Sequence, residues 1–388
     1  MKFFTKICKG DQVIWTIFLF LSSVSVVEVY SSTVALISDY DYLGSVFRHM
    51  IFLLIGWVLV LIIHSINPKY FKLFGLILPI AFVMLLIPRF MNNYINSSYR
   101  WISIVGISFQ PSEFAKLSLI TFISFLLSKR NDNNENKIFY LILISATIVC
   151  VTIFIDNAST AIILFIVVYL MMFIGQISVR RLLIFGSLII CFLVIVFYNI
   201  MYTNDNFLVK ISPRITTWKA RFMSFKKKNN VNNLNFSITG DNYQTVHSNI
   251  AIINGSFFGR GIGNSLEKSI LPQSFSDFIY SIIIEESGLV GGFIVIFSYI
   301  VFFVRSGLIA NQSNNFFCKF IVIGVALLIV IQALVNMAVA VNLIPVTGQT
   351  LPLISRGGTS TLVNCIYFGI VLSVSHYSQN PSLSNKFN

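Results

Sequence analysis

Ten apolar runs, each long enough to cross a membrane as a helix, divide the chain of 388 residues. A hydrocarbon core of about 30 Å needs roughly 20 such residues per helix. Charged residues make up only 11% of the chain, against roughly 25% in soluble domains. The sequence therefore predicts an all-α polytopic membrane protein. The predicted spans are residues 13–31, 50–67, 71–90, 111–129, 138–155, 159–176, 182–201, 277–304, 317–341 and 357–375.

Basic residues predict the orientation, because the cytoplasmic loops of membrane proteins are enriched in Lys and Arg. With the N-terminus inside, the inner segments hold 13 of these residues and the short outer loops hold 4. Both termini are therefore predicted to be cytoplasmic, in a single membrane domain over residues 1–388. A large extracytoplasmic loop, approximately 202–276, joins spans seven and eight. No DNA-binding motif accompanies the net charge of +13, so we expect no nucleic-acid partner.

Unusual polar residues lie at the predicted outer ends of the spans. Asp277 stands at a helix start, where the helix dipole stabilises an ionised carboxylate. Beside a membrane cavity, such a carboxylate can act as a general base on a hydroxyl. The alternative is a simple charge at a helix N-terminus. This outward distribution favours a site at the outer leaflet over a proton relay across the membrane.

Two pairs of charged residues lie inside predicted spans. Glu113 and Lys116 are three residues apart, so they share one helix face and can pair, in a structural or a functional role. Glu285 and Glu286 lie deeper and point about 100° apart on a helix. We expect these two acids to be supporting residues, one near a cation of another span and one near a glycine-rich neighbour.

Cationic and glycine-rich stretches offer candidate phosphate contacts. The segment 214–222 contains Arg214 and Arg221 beside a Trp, which predicts an amphipathic stretch that attracts an anionic headgroup such as a pyrophosphate. The segment 254–265 includes Gly261, and closely spaced glycines let backbone amides converge on a phosphate. A plain loop is the simpler alternative there. Arg356 presents a planar fork suited to phosphate, or else caps a helix.

Three blocks of this chain resemble one family. They are residues 100–120, 243–292 and 336–373, with the pattern FQPSE-AK in the first and LP-DFI-EE-G in the second. The family is the shape, elongation, division and sporulation (SEDS) family. Departures from its common patterns are Asn157 in place of an acid, Asn254 in place of a Gly and Arg356 in place of a Tyr or similar residue. None of them removes Asp277.

The resemblance implies a peptidoglycan glycosyltransferase that polymerises lipid II on the outer face of the cytoplasmic membrane. Asp277 matches the family's essential acid, whose implied role is to deprotonate the acceptor sugar hydroxyl. Arg100, Glu113 and Lys116 match further residues around the same cavity. Gln244 lies within a matching block and is expected to support the site.

The resemblance also implies what the protein works with. A divalent cation (Mg or Mn) is expected to neutralise the pyrophosphate, with no organic cofactor. The expected partners are lipid II, a class B penicillin-binding protein, other divisome membrane proteins and membrane lipids. The loop 345–360 resembles the FtsW branch more than the RodA branch, which implies the inner membrane at the division septum. A lipid II flippase and an elongation-type polymerase are the alternatives.

Overall fold

The computed structural model describes residues 9–34, 41–91, 100–104, 107–202, 214–229, 242–272 and 274–379, most of them in helices. The helices are α1 Gln12–Val34, α2 Asp41–Ile63, α3 Lys72–Leu76, α4 Leu78–Phe90, α5 Pro111–Ser128, α6 Glu135–Asp156, α7 Ala158–Ile174, α8 Val179–Tyr202, α9 Arg214–Asn229, α10 Tyr243–Gly255, α11 Ile279–Gln312, α12 Phe316–Ala340 and α13 Thr359–Ser378. Strands β1 Ile102–Ile104 and β2 Ile107–Phe109 form one antiparallel pair. The predicted all-α fold is confirmed.

Each of the ten predicted spans coincides with a helix or a bent pair of helices. Within the described ranges, seven helices are long and apolar enough to cross a membrane: α1, α2, α6, α8, α11, α12 and α13. The segments Pro68–Leu76 and Leu78–Phe90 form an eighth candidate, bent by 48° at their junction. Helix α7 is apolar but has 17 residues, and α5 carries two charges in its first two turns. The chain is a multi-pass membrane protein.

One compact unit contains residues 1–66, 220–306 and 329–376. Aromatic rings fill its interior, and the Phe18 ring centroid lies 4.7 Å from that of Trp57 and 5.4 Å from that of Phe368. Asp11 links the start of α1 to α11. Its carboxylate accepts from the N–H groups at the start of α1 and pairs with Arg305 of α11 at 2.7 Å. The first turn of α1 is thereby capped and tied to α11.

The second compact unit contains residues 67–219, 307–328 and 377–388. Helix α5 packs against α3, α4, α6 and α7, so most of its side chains are buried. Glu135 at the start of α6 pairs with Arg181 at 2.6 Å and with Arg130 at 3.6 Å. These charges link the ends of neighbouring helices. The expectation of one membrane domain over residues 1–388 stays a prediction.

Helix α11 is broken at Gly288, where the backbone (φ 73°, ψ −177°) is not helical. A break in a helix leaves main-chain groups without partners inside the helix. The segment after α10 supplies those partners, in an arrangement we name the glycine seam, residues 255–261 against residues 284–290. Its hydrogen bonds run from Arg260 N to Glu285 O, Gly261 N to Glu286 O, Leu289 N to Ser256 O and Val290 N to Phe257 O.

Glycine is required on both sides of the seam. A Cβ at Gly288 would overlap the carbonyl oxygen of Phe257, and a Cβ at Gly259 would overlap that of Glu286. The span predicted over 277–304 therefore begins at Ile279 and is interrupted. The segment predicted as one long loop, 202–276, contains the helices α9 and α10.

Candidate functional site

Asp277 lies in a turn two residues before α11 begins, and its side chain is half-buried. Its backbone carbonyl accepts a hydrogen bond from the Asn336 side chain of α12 at 3.0 Å. The same Asn336 amide donates to the carbonyl of Gln349 at 2.6 Å. One side chain of α12 thus ties the turn to the loop that precedes α13.

The loop before α13 holds the Asp277 turn by two further contacts. The Ser355 hydroxyl donates to the carbonyl of Ser276, and the backbone N–H of Arg356 donates to the carbonyl of Phe275 at 3.0 Å. The Arg356 guanidinium also lies over the Phe275 ring, 5.1 Å from its centroid. These contacts fix the backbone on the N-terminal side of Asp277, so its carboxylate is presented from a rigid turn.

The Asp277 carboxylate faces a glycine and an arginine. A Cβ at Gly348 would lie 3.6 Å from Asp277 Oδ2, which places the carboxylate in van der Waals range of this glycine. Arg221 of α9 donates to the carbonyl of Val346 at 3.0 Å. Burial lowers the pKa of the Arg221 guanidinium, and the nearby Asp277 charge opposes that shift. The predicted site residues Asp277 and Arg221 therefore lie in electrostatic contact.

A second arginine contributes positive charge beside the same turn. Burial lowers the pKa of Arg356, and repulsion from Arg48 lowers it further. Arg221 and Arg356 thus place positive charge beside the Asp277 turn, which favours binding of an anion. Of the predicted phosphate contacts, Arg221 and Arg356 lie near Asp277. Arg214 is the first residue of α9.

The predicted pair of Glu113 and Lys116 is present in the second unit. Lys116 Nζ lies 2.8 Å from Glu113 Oε1, and the two side chains are 1% and 8% exposed. Pro111 occupies the first turn of α5, where its missing N–H is harmless. The expected ion pair is confirmed, and it is buried rather than exposed at a helix end.

Arg100 lines a cleft at the start of α5. Its guanidinium lies over the Trp101 ring at 5.5 Å, and the cleft wall includes Gln110, Asp156 and Asn157. Asn157, where many family members carry an acid, accepts from the N–H of Thr160 and caps α7. The cleft therefore combines a cation with amide and carboxylate groups in the second unit.

Lys116→Met is expected to lower the free energy of unfolding by about 3–5 kcal/mol, because it leaves the buried Glu113 carboxylate without its ion-pair partner. The double variant with Glu113→Gln is expected to recover most of this loss. Thermal unfolding in detergent measures both. Lys129→Met, at the exposed end of the same helix, is the control. Wild-type stability in Lys116→Met would show that the pair does not stabilise the fold.

Glu285 acts as a structural acceptor. Its buried carboxylate accepts from the hydroxyl of Ser265 and from the N–H groups of Leu266 at 3.1 Å and Glu267 at 3.3 Å. These bonds hold the segment after the seam against α11. The expectation of a glycine-rich neighbour fits Glu285.

Glu286 lies near Glu28, a buried acid that the sequence analysis did not single out. Glu286 accepts from the Ser31 hydroxyl of α1, and Lys268 donates to the same hydroxyl at 3.3 Å. Glu28, also on α1 and 4% exposed, interacts electrostatically with both Glu286 and Lys268. A lone acid in the first apolar run was the signal that could have identified Glu28.

The remaining predicted residues are Gln244 and Gly261. Gln244 is in the first turn of α10 and is half-buried. The N–H of Gly261 donates to the carbonyl of Glu286, so this amide already has a protein acceptor. The roles predicted for Gln244 and Gly261 stay predictions.

Known proteins resemble this chain over nearly its full length. A protein of Enterococcus hirae named probable peptidoglycan glycosyltransferase FtsW is 29% identical over 381 residues, covering 95% of this chain and 93% of that protein. A solved chain of a peptidoglycan synthase complex shares 20% identity with a TM-score of 0.69, covering 94% of this chain and 97% of its own. The rod shape determining protein RodA of Thermus thermophilus shares 18% identity with a TM-score of 0.66, covering 96% and 98%.

The family model described as a cell cycle protein, which groups FtsW, RodA and SpoVE, matches residues 11–380. Nearly all the helices and both groups of charged residues described above fall inside this match. The chain therefore belongs to the FtsW, RodA and SpoVE family.

Proposed function

We propose that this chain is a peptidoglycan glycosyltransferase that polymerises lipid II at the outer face of the cytoplasmic membrane. Its FtsW relatives bear that activity in their names. The observation that carries the proposal is a half-buried Asp277 on a rigid turn with Arg221 beside it. A carboxylate for proton transfer and cations for a phosphate leaving group are what this reaction requires.

In the proposed reaction, the Asp277 carboxylate accepts a proton from the acceptor sugar hydroxyl. The hydroxyl oxygen then forms a bond to the anomeric carbon of the donor chain, and the bond between that carbon and the pyrophosphate oxygen breaks. Undecaprenyl pyrophosphate leaves with the bonding electron pair. The turn contributes by holding the carboxylate in one orientation, because orientation of a general base strongly affects its rate.

Arg221 and Arg356 are the proposed contacts of the pyrophosphate. A fork of N–H donors suits two phosphate oxygens, and positive charge stabilises the leaving group as its negative charge develops. We propose Arg100, Glu113 and Lys116 as further residues that bind the substrate.

The described residues offer few side-chain ligands for the divalent cation expected from the family. Among the described residues, no group of three or more His, Cys, Asp or Glu side chains is placed to hold a metal ion. Mg²⁺ is often held by one or two carboxylates together with substrate phosphates. Asp277 fits a cation that arrives with the substrate, and such a cation would neutralise part of the pyrophosphate charge.

We propose a class B penicillin-binding protein as the partner, with both termini in the cytoplasm and action at the division septum. A structural neighbour comes from a peptidoglycan synthase complex, which supports a partner of this kind. The matching family model is described as a cell cycle protein, which supports a role in division.

The test is a polymerisation assay on the purified full chain with labelled lipid II, alone and with the transpeptidase. We expect glycan products longer than the substrate, and more product with the partner. In sealed vesicles, movement of lipid II across the bilayer without any polymer would overturn the proposal and favour the flippase alternative.

A further inference from the structure

A line of hydrogen bonds in the first unit runs from α2 to the turn that presents Asp277. His49 of α2 and Ser25 of α1 are buried, with 2% and 0% of their surfaces exposed. His49 Nε2 lies 2.9 Å from Ser25 Oγ, and the Ser25 hydroxyl donates to the carbonyl of Ile354 at 2.8 Å. The buried Ser25 thus contacts the loop before α13, and the buried His49 contacts Ser25.

The tautomer of His49 follows from these bonds. A serine hydroxyl has one hydrogen, and that of Ser25 is donated to Ile354 O. His49 Nε2 must therefore carry a hydrogen and donate it to Ser25. Its other ring nitrogen, Nδ1, is buried and has no hydrogen-bond partner within the described part of the chain. A hydrogen on Nδ1 would lack an acceptor, so the ring is neutral with the hydrogen on Nε2.

The surrounding charges also disfavour a cationic ring. Arg356 lies close enough to interact electrostatically with His49, and Arg48 in turn acts on Arg356. A positive charge on His49 would be a third cation in this group. The arrangement therefore requires a neutral donor at position 49 rather than another cation.

The line continues to Asp277 through the two residues after Ile354. Ser355 donates to the carbonyl of Ser276, and the N–H of Arg356 donates to that of Phe275. The Ser25 contact fixes Ile354, and the next two residues fix the two residues before Asp277. A displacement of Ile354 therefore shifts the backbone that carries the carboxylate.

We infer that neutral His49, acting through Ser25, is a positioning residue that holds segment 354–356 and with it the turn of Asp277. The inference rests on the proposed role of Asp277 for its effect on the reaction. Its structural part, the tautomer and the ordering of segment 354–356, can be measured without any activity.

The kinetic test is lipid II polymerisation by the full chain. His49→Ala and Ser25→Ala are each expected to lower kcat about tenfold and to leave KM within about twofold, because small displacements of a catalytic group slow the reaction more than they weaken binding. His49→Gln keeps an N–H donor at the same reach and is expected to stay within about threefold of wild type. The double alanine variant should have the same kcat as either single variant, because both substitutions interrupt the same series of hydrogen bonds.

The structural test uses the same variants in nanodiscs. Nitrogen-15 NMR of histidine-labelled protein, with the His49 signal identified by its loss in His49→Gln, is expected to show a protonated Nε2 and a bare Nδ1. Hydrogen exchange at the Arg356 amide is expected to be about tenfold faster in His49→Ala and Ser25→Ala. Ser22→Ala is the matched control, because Ser22 lies one turn away on α1 and bonds only to its own helix.

The outcomes separate this inference from the proposed function. If the wild-type chain makes no glycan while Arg356 exchange still rises in both alanine variants, the positioning stands and the proposed function fails. Wild-type kcat and exchange in His49→Ala would overturn the inference, as would a protonated Nδ1. A His49→Gln variant as slow as His49→Ala would also contradict it.

Discussion

Asp277→Asn is expected to lower lipid II polymerisation by about 10²- to 10⁴-fold, the usual contribution of a general base. The amide cannot accept the proton of the acceptor hydroxyl. The fold is expected to be unchanged, because Asn336 binds the backbone carbonyl of residue 277 and the neighbouring loop bonds are also made to main-chain carbonyls. The measurement is glycan length and initial rate with labelled lipid II, in protein of matched thermal stability.

Glu267→Gln is the control for that experiment. Glu267 is an acid ten residues earlier that pairs with His247 at 2.7 Å. Its neutralisation is expected to affect the local fold but to keep the polymerisation rate within a few-fold of wild type. A purified Asp277→Asn variant that lengthens glycan at the wild-type rate would remove Asp277 from the reaction.

Gly288→Ala is expected to lower the free energy of unfolding by about 3–5 kcal/mol, among the largest effects of a single substitution. Two costs combine. A residue with a Cβ at φ 73° and ψ −177°, a region essentially restricted to glycine, is strained by about 1–3 kcal/mol. In addition, the methyl group would overlap the Phe257 carbonyl and separate the two strips of backbone in the glycine seam. Thermal unfolding in detergent and the fraction of monodisperse protein are the readouts.

Substitutions at two other glycines separate the backbone strain from the steric overlap. Gly263 also has a positive φ, but a Cβ there would meet nothing within 4 Å, so Gly263→Ala should show the strain alone. Gly307 lies in α11 with open space around it, and Gly307→Ala is expected to be neutral or stabilising by about 0.5–1 kcal/mol. If Gly288→Ala unfolds at the same temperature as Gly263→Ala, the close approach at the seam does not stabilise the fold.

Hydropathy was sufficient to predict the spans, because each buried or lipid-facing helix needs its own apolar run. The charged pair of α5 was also predictable, since three-residue spacing places Glu113 and Lys116 on one helix face and their actual contact is 2.8 Å. The segment at 214–222, predicted as an amphipathic stretch of a long loop, lies within the helix α9.

The break in α11 was not predictable from the run GLVGG, which is compatible with a continuous helix. It depends on hydrogen bonds between main-chain groups of residues 256–261 and those of residues 285–290, and no side-chain pattern reports such a pairing. The same reason explains Gly261. Its glycine-rich setting suggested a phosphate, whereas its N–H donates to a carbonyl of α11.

Asp277 was recognisable as an acid at a helix start, but its surroundings were not. Asn336 and Ser355 are ordinary polar residues in sequence, and only the packing of α12 and the loop before α13 brings them to the turn. Glu28 sits alone in an apolar run and His49 follows Arg48 just before another, so their partners on other helices could not be read from spacing.

The glycine seam has a consequence for how this surface varies among related chains. Its bonds join main-chain atoms, so they do not depend on which side chains stand at the positions other than the required glycines. Phe257 and Phe258 project outward, 69% and 87% exposed, and exchanging them for small or charged residues leaves every one of those bonds intact. The exposed side chains of this segment can therefore change during evolution to suit a different neighbouring molecule, while the broken helix α11 keeps its geometry.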